Sequence, residues 1–110
     1  MPKYHNKNTV VDGILFDSRR EAHRYGELKL LEKIGLIRNL KLQPRYLLQE
    51  KFTHQLTGCK HRAIEYVADF EYEELGKKIV EDVKGMQTDM FKLKAKLFDY
   101  KYPDLTLLIT

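Results

Sequence analysis

Asp69, Asp82 and Lys84 are the residues of this 110-residue chain whose types and spacing suit a chemical task. Asp82 and Lys84 stand two apart in Ile79-Val80-Glu81-Asp82-Val83-Lys84-Gly85, which reads as a strand, so both side chains leave one face. Asp69 lies in Tyr66-Val67-Ala68-Asp69-Phe70, which reads as the partner strand of a hairpin and sets it within cross-strand reach. Two carboxylates converging at a strand end make a hard oxygen site for Mg²⁺, with Mn²⁺ as substitute. An ion held there polarises a phosphodiester and acidifies a bound water. Lys84 would hold the attacking water and offset charge building on the phosphorane. An Asp-x-Lys pair more often marks a solvated edge. Here the charges interrupt apolar strands, where burial without a partner or metal is costly. The competing structural reading is an internal Asp–Lys ion-pair network, with Glu21 serving only as a cap.

Other side chains join this set from elsewhere. Ser18-Arg19-Arg20-Glu21 has the capping-box pattern of a helix start. Glu21, Tyr25 and Leu28 then share one helical face, so a carboxylate heads a stripe that turns inward. Arg19, Arg20, His23 and Arg24 make the first turns basic, against the preference of the helix dipole for anions at that end. Phosphate contact by Arg20 and Arg24 is one reason to tolerate this; a solvated basic face is the other. Gln43 is a polar residue in an apolar alternation. Lys94 falls on the apolar side of a second helix, either as a snorkelling stem or as an ammonium that reaches the site or a phosphate. Glu81 leaves the opposite face from Asp82 and reads as solvated or helix-paired. His5, His23, His54 and His61 have no ligand spacing, and Cys59 has no second cysteine for a disulfide or zinc site.

The elements that must position these groups can be read in order. Thr9 to Phe16 is a hairpin on Asp12-Gly13. A helix runs from Ser18 to about Ile34 and stops at Gly35. Lys41 to Leu48 is a strand interrupted or edged by Pro44. Residues 50–61 form a loop or loose hairpin end. Arg62 to Tyr72 alternates as one strand, with Ile64, Tyr66, Ala68, Phe70 and Tyr72 on one face. Glu73 to Gly76 turns the chain, and Lys77 to Lys84 returns. Thr88 caps a second helix with Phe91, Ala95 and Phe98 as core stripe and Met90, Leu93 and Leu97 beside it. Leu105 to Ile109 is a buried final strand. Helix, strands, helix and strand give an α/β (α+β) fold with a mixed sheet flanked by helices, in a single domain over 1–110.

Composition narrows the function classes. With 43% hydrophobic and 33% charged residues, the chain suits a packed globule rather than a disordered segment. It has no apolar run of membrane-spanning length, and Met1 to Asn8 lacks the apolar core of a signal peptide. A cytoplasmic protein with no membrane partner is expected. The net charge of +4 is compatible with DNA. Acidic residues gather between 65 and 82, and basic ones at 19–24, 38–45 and 92–101, with a basic polar arm over 3–8.

This ordered set resembles the PD-(D/E)XK nuclease superfamily, whose fold is restriction-endonuclease-like. It is most similar to a family of small phage and prophage proteins taken to be endonucleases. The resemblance rests on Lys3-Tyr4-His5-Asn6, Asp12 to Ala22, Leu42-Gln43-Pro44, Tyr66 to Phe70, Glu81 to Gly85 and Lys92 to Phe98. It implies that Asp69 and Asp82 bind Mg²⁺ with a carbonyl near Val83, that Lys84 positions water, and that Glu21 completes the metal site. Gln43 and Lys94 match recurrent polar positions near the site. Ala68 departs from the proline of the motif name. The function implied is an endodeoxyribonuclease, host-cytoplasmic if phage-encoded, that serves DNA recombination, repair or processing, with the DNA structure cut left open and branched DNA among the candidates. Superfamily architecture allows a homodimer. The alternative is a non-catalytic DNA-binding subunit of a phage recombination or packaging assembly that keeps the fold.

Overall fold

A computed structural model of the chain describes residues 8–110. The arm expected over 3–8 therefore lies outside the described residues except for Asn8. The elements run β1 (Thr9–Val11), β2 (Ile14–Phe16), α1 (Arg19–Lys33), β3 (Arg38–Leu42), β4 (Arg45–Gln49), β5 (Phe52–Thr53), β6 (Lys60–His61), β7 (Ile64–Val67), β8 (Phe70–Glu74), β9 (Lys77–Asp82), α2 (Asp89–Lys101) and β10 (Thr106–Ile109). The fold is mixed α and β. A four-stranded sheet has the order β10-β9-β8-β3, with β10 parallel to β9 and the other pairs antiparallel.

Local chemistry accounts for the boundaries. Asp12 and Gly13 both take positive φ, at 52° and 75°, and close the β1–β2 hairpin. The Ser18 hydroxyl accepts the Glu21 N–H at 3.1 Å and starts α1. Gly35 ends that helix at φ 85°. Thr88 caps α2 by accepting the Phe91 N–H at 3.1 Å.

The expected strand from Arg62 to Tyr72 is in fact two. The chain breaks at Ala68-Asp69, and Gln43-Pro44 breaks opposite it, where Gln43 takes φ 49°. Proline has no N–H for a ladder, so the pairing has to re-form around it. The Gln43 N–H donates to the Asp69 carbonyl at 3.0 Å, and the Ala68 N–H donates to the Pro44 carbonyl at 3.1 Å. On one side of the break β3 pairs with β8; on the other β4 pairs with β7.

The break also redistributes the faces. Phe70 and Tyr72 pack with Phe16, Ala22, Tyr25, Leu28, Ile37 and Val83 against α1. Tyr66 and Ala68 pack instead with Tyr46, Val80, Phe91 and Phe98 against α2. Strict alternation over 64–72 would have kept all four residues on one side.

Three further expectations are corrected. β10 is an edge strand of its sheet, and Leu108 and Ile109 are exposed rather than buried. β9 ends at Asp82, although Lys84 N–H to the Thr110 carbonyl and Thr110 N–H to the Asp82 carbonyl, at 3.1 and 3.0 Å, prolong its contact with the last strand. α2 buries Phe91 and Phe98, while Met90, Leu93 and Leu97 stay exposed. Among the described residues no helix is long and apolar enough to cross a membrane.

The deepest polar feature lies on the α1 side of β9. Glu81 is fully buried. Its carboxylate accepts from Arg24 Nε at 2.6 Å, Arg24 Nη2 at 3.0 Å, Tyr72 hydroxyl at 2.7 Å and Thr110 hydroxyl at 3.1 Å. The expected solvated Glu81 is thus overturned; the expected helix pairing is what the geometry provides. The two-pronged guanidinium suits a carboxylate and raises the Arg24 pKa above its usual value. Burial, then Glu81, raises that of Tyr72. Removing one member of such a pair strands the other in a dry interior. Arg24→Ala should cost about 3–5 kcal/mol of stability in urea unfolding. Adding Glu81→Leu to that variant should recover part of the loss. An Arg24→Ala protein as stable as the parent would show the pair to be dispensable.

Candidate active site

The expected chemical residues meet where β9 ends. Successive residues of a strand point to opposite faces, so Glu81 turns to α1 and Asp82 to α2. Asp82 is 1% exposed. Its Oδ2 accepts the Tyr66 hydroxyl at 2.5 Å, and its Oδ1 is buried without a hydrogen bond. Lys84 Nζ stands 3.6 Å from that Oδ1 and 4.9 Å from the centre of the Phe91 ring. The ring face is attractive to an ammonium and keeps the lysine at the mouth of the site.

Asp69 approaches from the break between β7 and β8. Its Oδ2 accepts the Val83 N–H at 2.8 Å, and its own N–H donates to the Glu81 carbonyl at 3.2 Å. The main chain thus fixes Asp69 against the same strand end that carries Asp82. Glu21, 3% exposed in the first turn of α1, is near enough for its charge to act on Asp69. Burial raises the Asp69 pKa most, followed by the adjacent Asp82 carboxyl and, more weakly, Glu21; the Val83 N–H opposes them. The outcome is about 7. A proton on Asp69 can be shared with Asp82, which relieves two carboxylates in one buried space.

The remaining expected residues are arranged around this centre. Gln43 is tied to Asp69 through its backbone N–H, while the residue itself is exposed. Lys94 is half-buried on α2 and makes no ion pair among the described residues. Arg19, Arg20, His23, Arg24 and Glu27 line a cleft of about 380 Å³ that is completed by Val83 and Thr110. Arg20 Nη1 reaches the backbone at Gly85, where a Cβ would sit 3.6 Å away. Arg24 borders the cleft with its guanidinium held by Glu81 and Glu27, whereas Arg19 and Arg20 make no ion pair among the described residues.

The donor set fits a hard divalent cation in type. Asp69 and Asp82 supply carboxylate oxygens, and Asp82 Oδ1 is a buried acceptor without a hydrogen bond. No group of three or more His, Cys, Asp or Glu among the described residues is closed around a single point. The arrangement suits Mg²⁺, which takes few protein ligands and keeps its waters.

One residue of the site, Tyr66, was not singled out from sequence, and the burial of Glu81 was not foreseen. Tyr66 orients Asp82, yet alternation placed it on the face away from Asp69; the signal that could have found it is Pro44, which forces the break opposite. Glu81 is the buried anchor of the same strand. Its tandem position beside Asp82 is the signal, since two adjacent acids in an apolar strand each need partners on a different face.

The Asp69 shift has a thermodynamic consequence. Its pKa lies near 3.8 in the unfolded chain and about 7 in the fold, so the native state keeps a proton that the unfolded state loses. Stability from this group is complete below the lower value and falls as pH rises toward the upper one. In chelator, the melting temperature of the protein should decline across that interval. Asp69→Asn should flatten the decline, and an unchanged slope in that variant would assign it to other groups.

A family model with the description "protein of unknown function (DUF1064)" matches residues 1–110. No curated protein matches the chain, and no solved structure does.

Proposed function

The chain belongs to the DUF1064 family, whose description assigns no activity, and from its own residues we propose that it is a Mg²⁺-dependent endodeoxyribonuclease of restriction-endonuclease-like fold. The observation that supports this reading is the meeting of Asp69, Asp82 and Lys84 at one strand end, with Asp82 Oδ1 buried and lacking a hydrogen bond. A structural ion pair alone would not call for a second carboxylate forced beside the first.

When bound, the cation supplies Lewis acidity and an acidified water for attack on phosphorus. Asp69 and Asp82 would hold it, and the resemblance implies Glu21 as the third acid and the Val83 carbonyl as a further ligand. Tyr66 fixes Asp82 so that its free oxygen faces the site. Lys84, 3.6 Å from Asp82 Oδ1, would orient the water and offset charge on the phosphate. Arg19 and Arg20 contact the DNA backbone from the neighbouring cleft, which positions the strand without reading bases. Gln43 and Lys94 are accessory contacts. The reading places the protein in phage or prophage DNA recombination, repair or processing in the host cytoplasm.

Supercoiled, linear, branched and single-stranded DNA, each with Mg²⁺ and with chelator, test the proposal. Cleavage should require the metal, and Asp82→Asn should lower the rate by about 10²-fold or more. Binding of DNA with no cleavage of any substrate would sink the enzyme reading in favour of a non-catalytic DNA-binding subunit. Tyr66→Phe gives a second check. It should weaken Mn²⁺ binding, measured by calorimetry, by about tenfold. Undiminished Mn²⁺ affinity would remove Tyr66 from the site.

A further inference from the structure

β5 and β6 form a ribbon that stands apart from both cores. They pair only with each other, and no other described strand or helix lies against them. Every residue from 50 to 63 is exposed. A free two-stranded ribbon is marginal in water, so its order has to be built locally. At the tip, the His54 N–H donates to the Cys59 carbonyl and the Gly58 N–H to the His54 carbonyl, each at 2.8 Å. Below the tip, Phe52 and His61 oppose one another across the strands, with ring centres 4.7 Å apart and planes inclined by 18°. Phe52 is still 45% exposed, because the stack covers only one face of its ring. The charge is of one sign. Lys51, Lys60 and Arg62 stand next to these two rings in the chain, and residues 51–62 hold no Asp or Glu. The β8–β9 hairpin, by contrast, sets Glu73 and Glu74 against Lys77 and Lys78.

We propose that this ribbon is a binding site for an unpaired DNA strand, with a base stacked on the open face of Phe52 and with Lys51, Lys60 and Arg62 on the adjoining phosphates. The inference deepens the proposed function and rests on its DNA-binding part alone, not on metal or catalysis. A cationic surface without acids attracts a polyanion, and an exposed ring offers a base a stacking partner whatever its sequence. The long stems of the two lysines and the arginine let their charges reach the edges of a ribbon only two strands wide. Charge alone would serve any DNA; Phe52 selects the strand. A base inside a duplex is already stacked on both faces, whereas an unpaired base has a face to give. The cross-strand contact with His61 also holds the ribbon in register, but that role uses only the inner face of Phe52. The outer face is left for a planar ligand on a surface that buries no core.

The chain has no tryptophan, so Phe52→Trp puts a single indole reporter on the platform. With chelator present to prevent cleavage, oligothymidylate should quench the emission of that variant, and a blunt duplex of equal length should not. Phe52→Leu keeps an apolar side chain without a ring. It should weaken binding of labelled oligothymidylate, read by fluorescence anisotropy, by about tenfold. Lys51→Gln combined with Lys60→Gln should lower the slope of log affinity against log salt by roughly 1 to 1.5. The quench reports contact at position 52 even if Phe52→Leu loosens the ribbon. Unquenched emission, unchanged affinity of Phe52→Leu, equal quenching by the duplex, or tighter binding of oligouridylate would each overturn the proposal. Mg²⁺-dependent cleavage alongside any of those results leaves the nuclease reading standing; quenching without cleavage of any substrate sinks that reading and keeps this one.

Discussion

Two adjacent buried carboxylates on β9 set the terms for everything packed around them. Glu81 and Asp82 are 0% and 1% exposed, and a strand sends them to opposite faces. Burying even one ionised carboxylate is costly unless it is paired and hydrogen-bonded. Each therefore needs its own polar partners, and those partners must come from different layers. For Glu81 they are Arg24 of α1, Tyr72 of β8 and Thr110. For Asp82 they are Tyr66 of β7 and Lys84. The helix and the bent ribbon are docked on this strand by charge as well as by apolar contact.

The two carboxylates are satisfied to different degrees, and that difference separates structure from chemistry. Both oxygens of Glu81 are occupied, one prong of the guanidinium on each. Nothing is left for a ligand. Asp82 has one oxygen held by Tyr66 and one without a hydrogen bond, faced by a lysine at 3.6 Å. Burial first, and the adjacent Asp82 carboxyl second, drive Asp69 toward protonation, so the pair carries an excess of buried negative charge when both are ionised. A proton or a divalent cation relieves that excess. The same strand thus carries a closed charge pair on one face and an open one on the other.

Much of this was legible in the sequence because it depends on local rules. Asp12-Gly13, the Ser18 cap, the Gly35 stop and the Thr88 cap each rest on a few consecutive residues. The pairing of Asp69 with Asp82 follows from a hairpin whose register is set by its Leu75-Gly76 turn. What was not legible depends on contacts across the fold. Alternation from Ile64 to Tyr72 is unbroken in the sequence, yet Pro44 on the neighbouring strand interrupts it and turns Tyr66 to the other layer. For Glu81 the sequence left solvation and helix pairing open, because the partner Arg24 lies 57 residues away. The outer stripe of α2 could not be told from a core stripe, since periodicity reports that a helix has an apolar side and not what covers it.

The break at Gln43-Pro44 and Ala68-Asp69 ties these observations together. Without it, Tyr66 would share a face with Phe70 and Tyr72 and could not reach Asp82, which belongs to the opposite layer. With it, Asp69 is lifted out of regular pairing and its carboxylate is free to accept the Val83 N–H at the strand end. A residue in left-handed conformation at Gln43 is the local strain that accompanies this arrangement. Its backbone N–H ends on the Asp69 carbonyl, so the strained turn and the acid are held by one hydrogen bond. The bend that spoils the sheet is therefore what assembles the site: it brings the orienting tyrosine to one carboxylate and releases the other from the ladder.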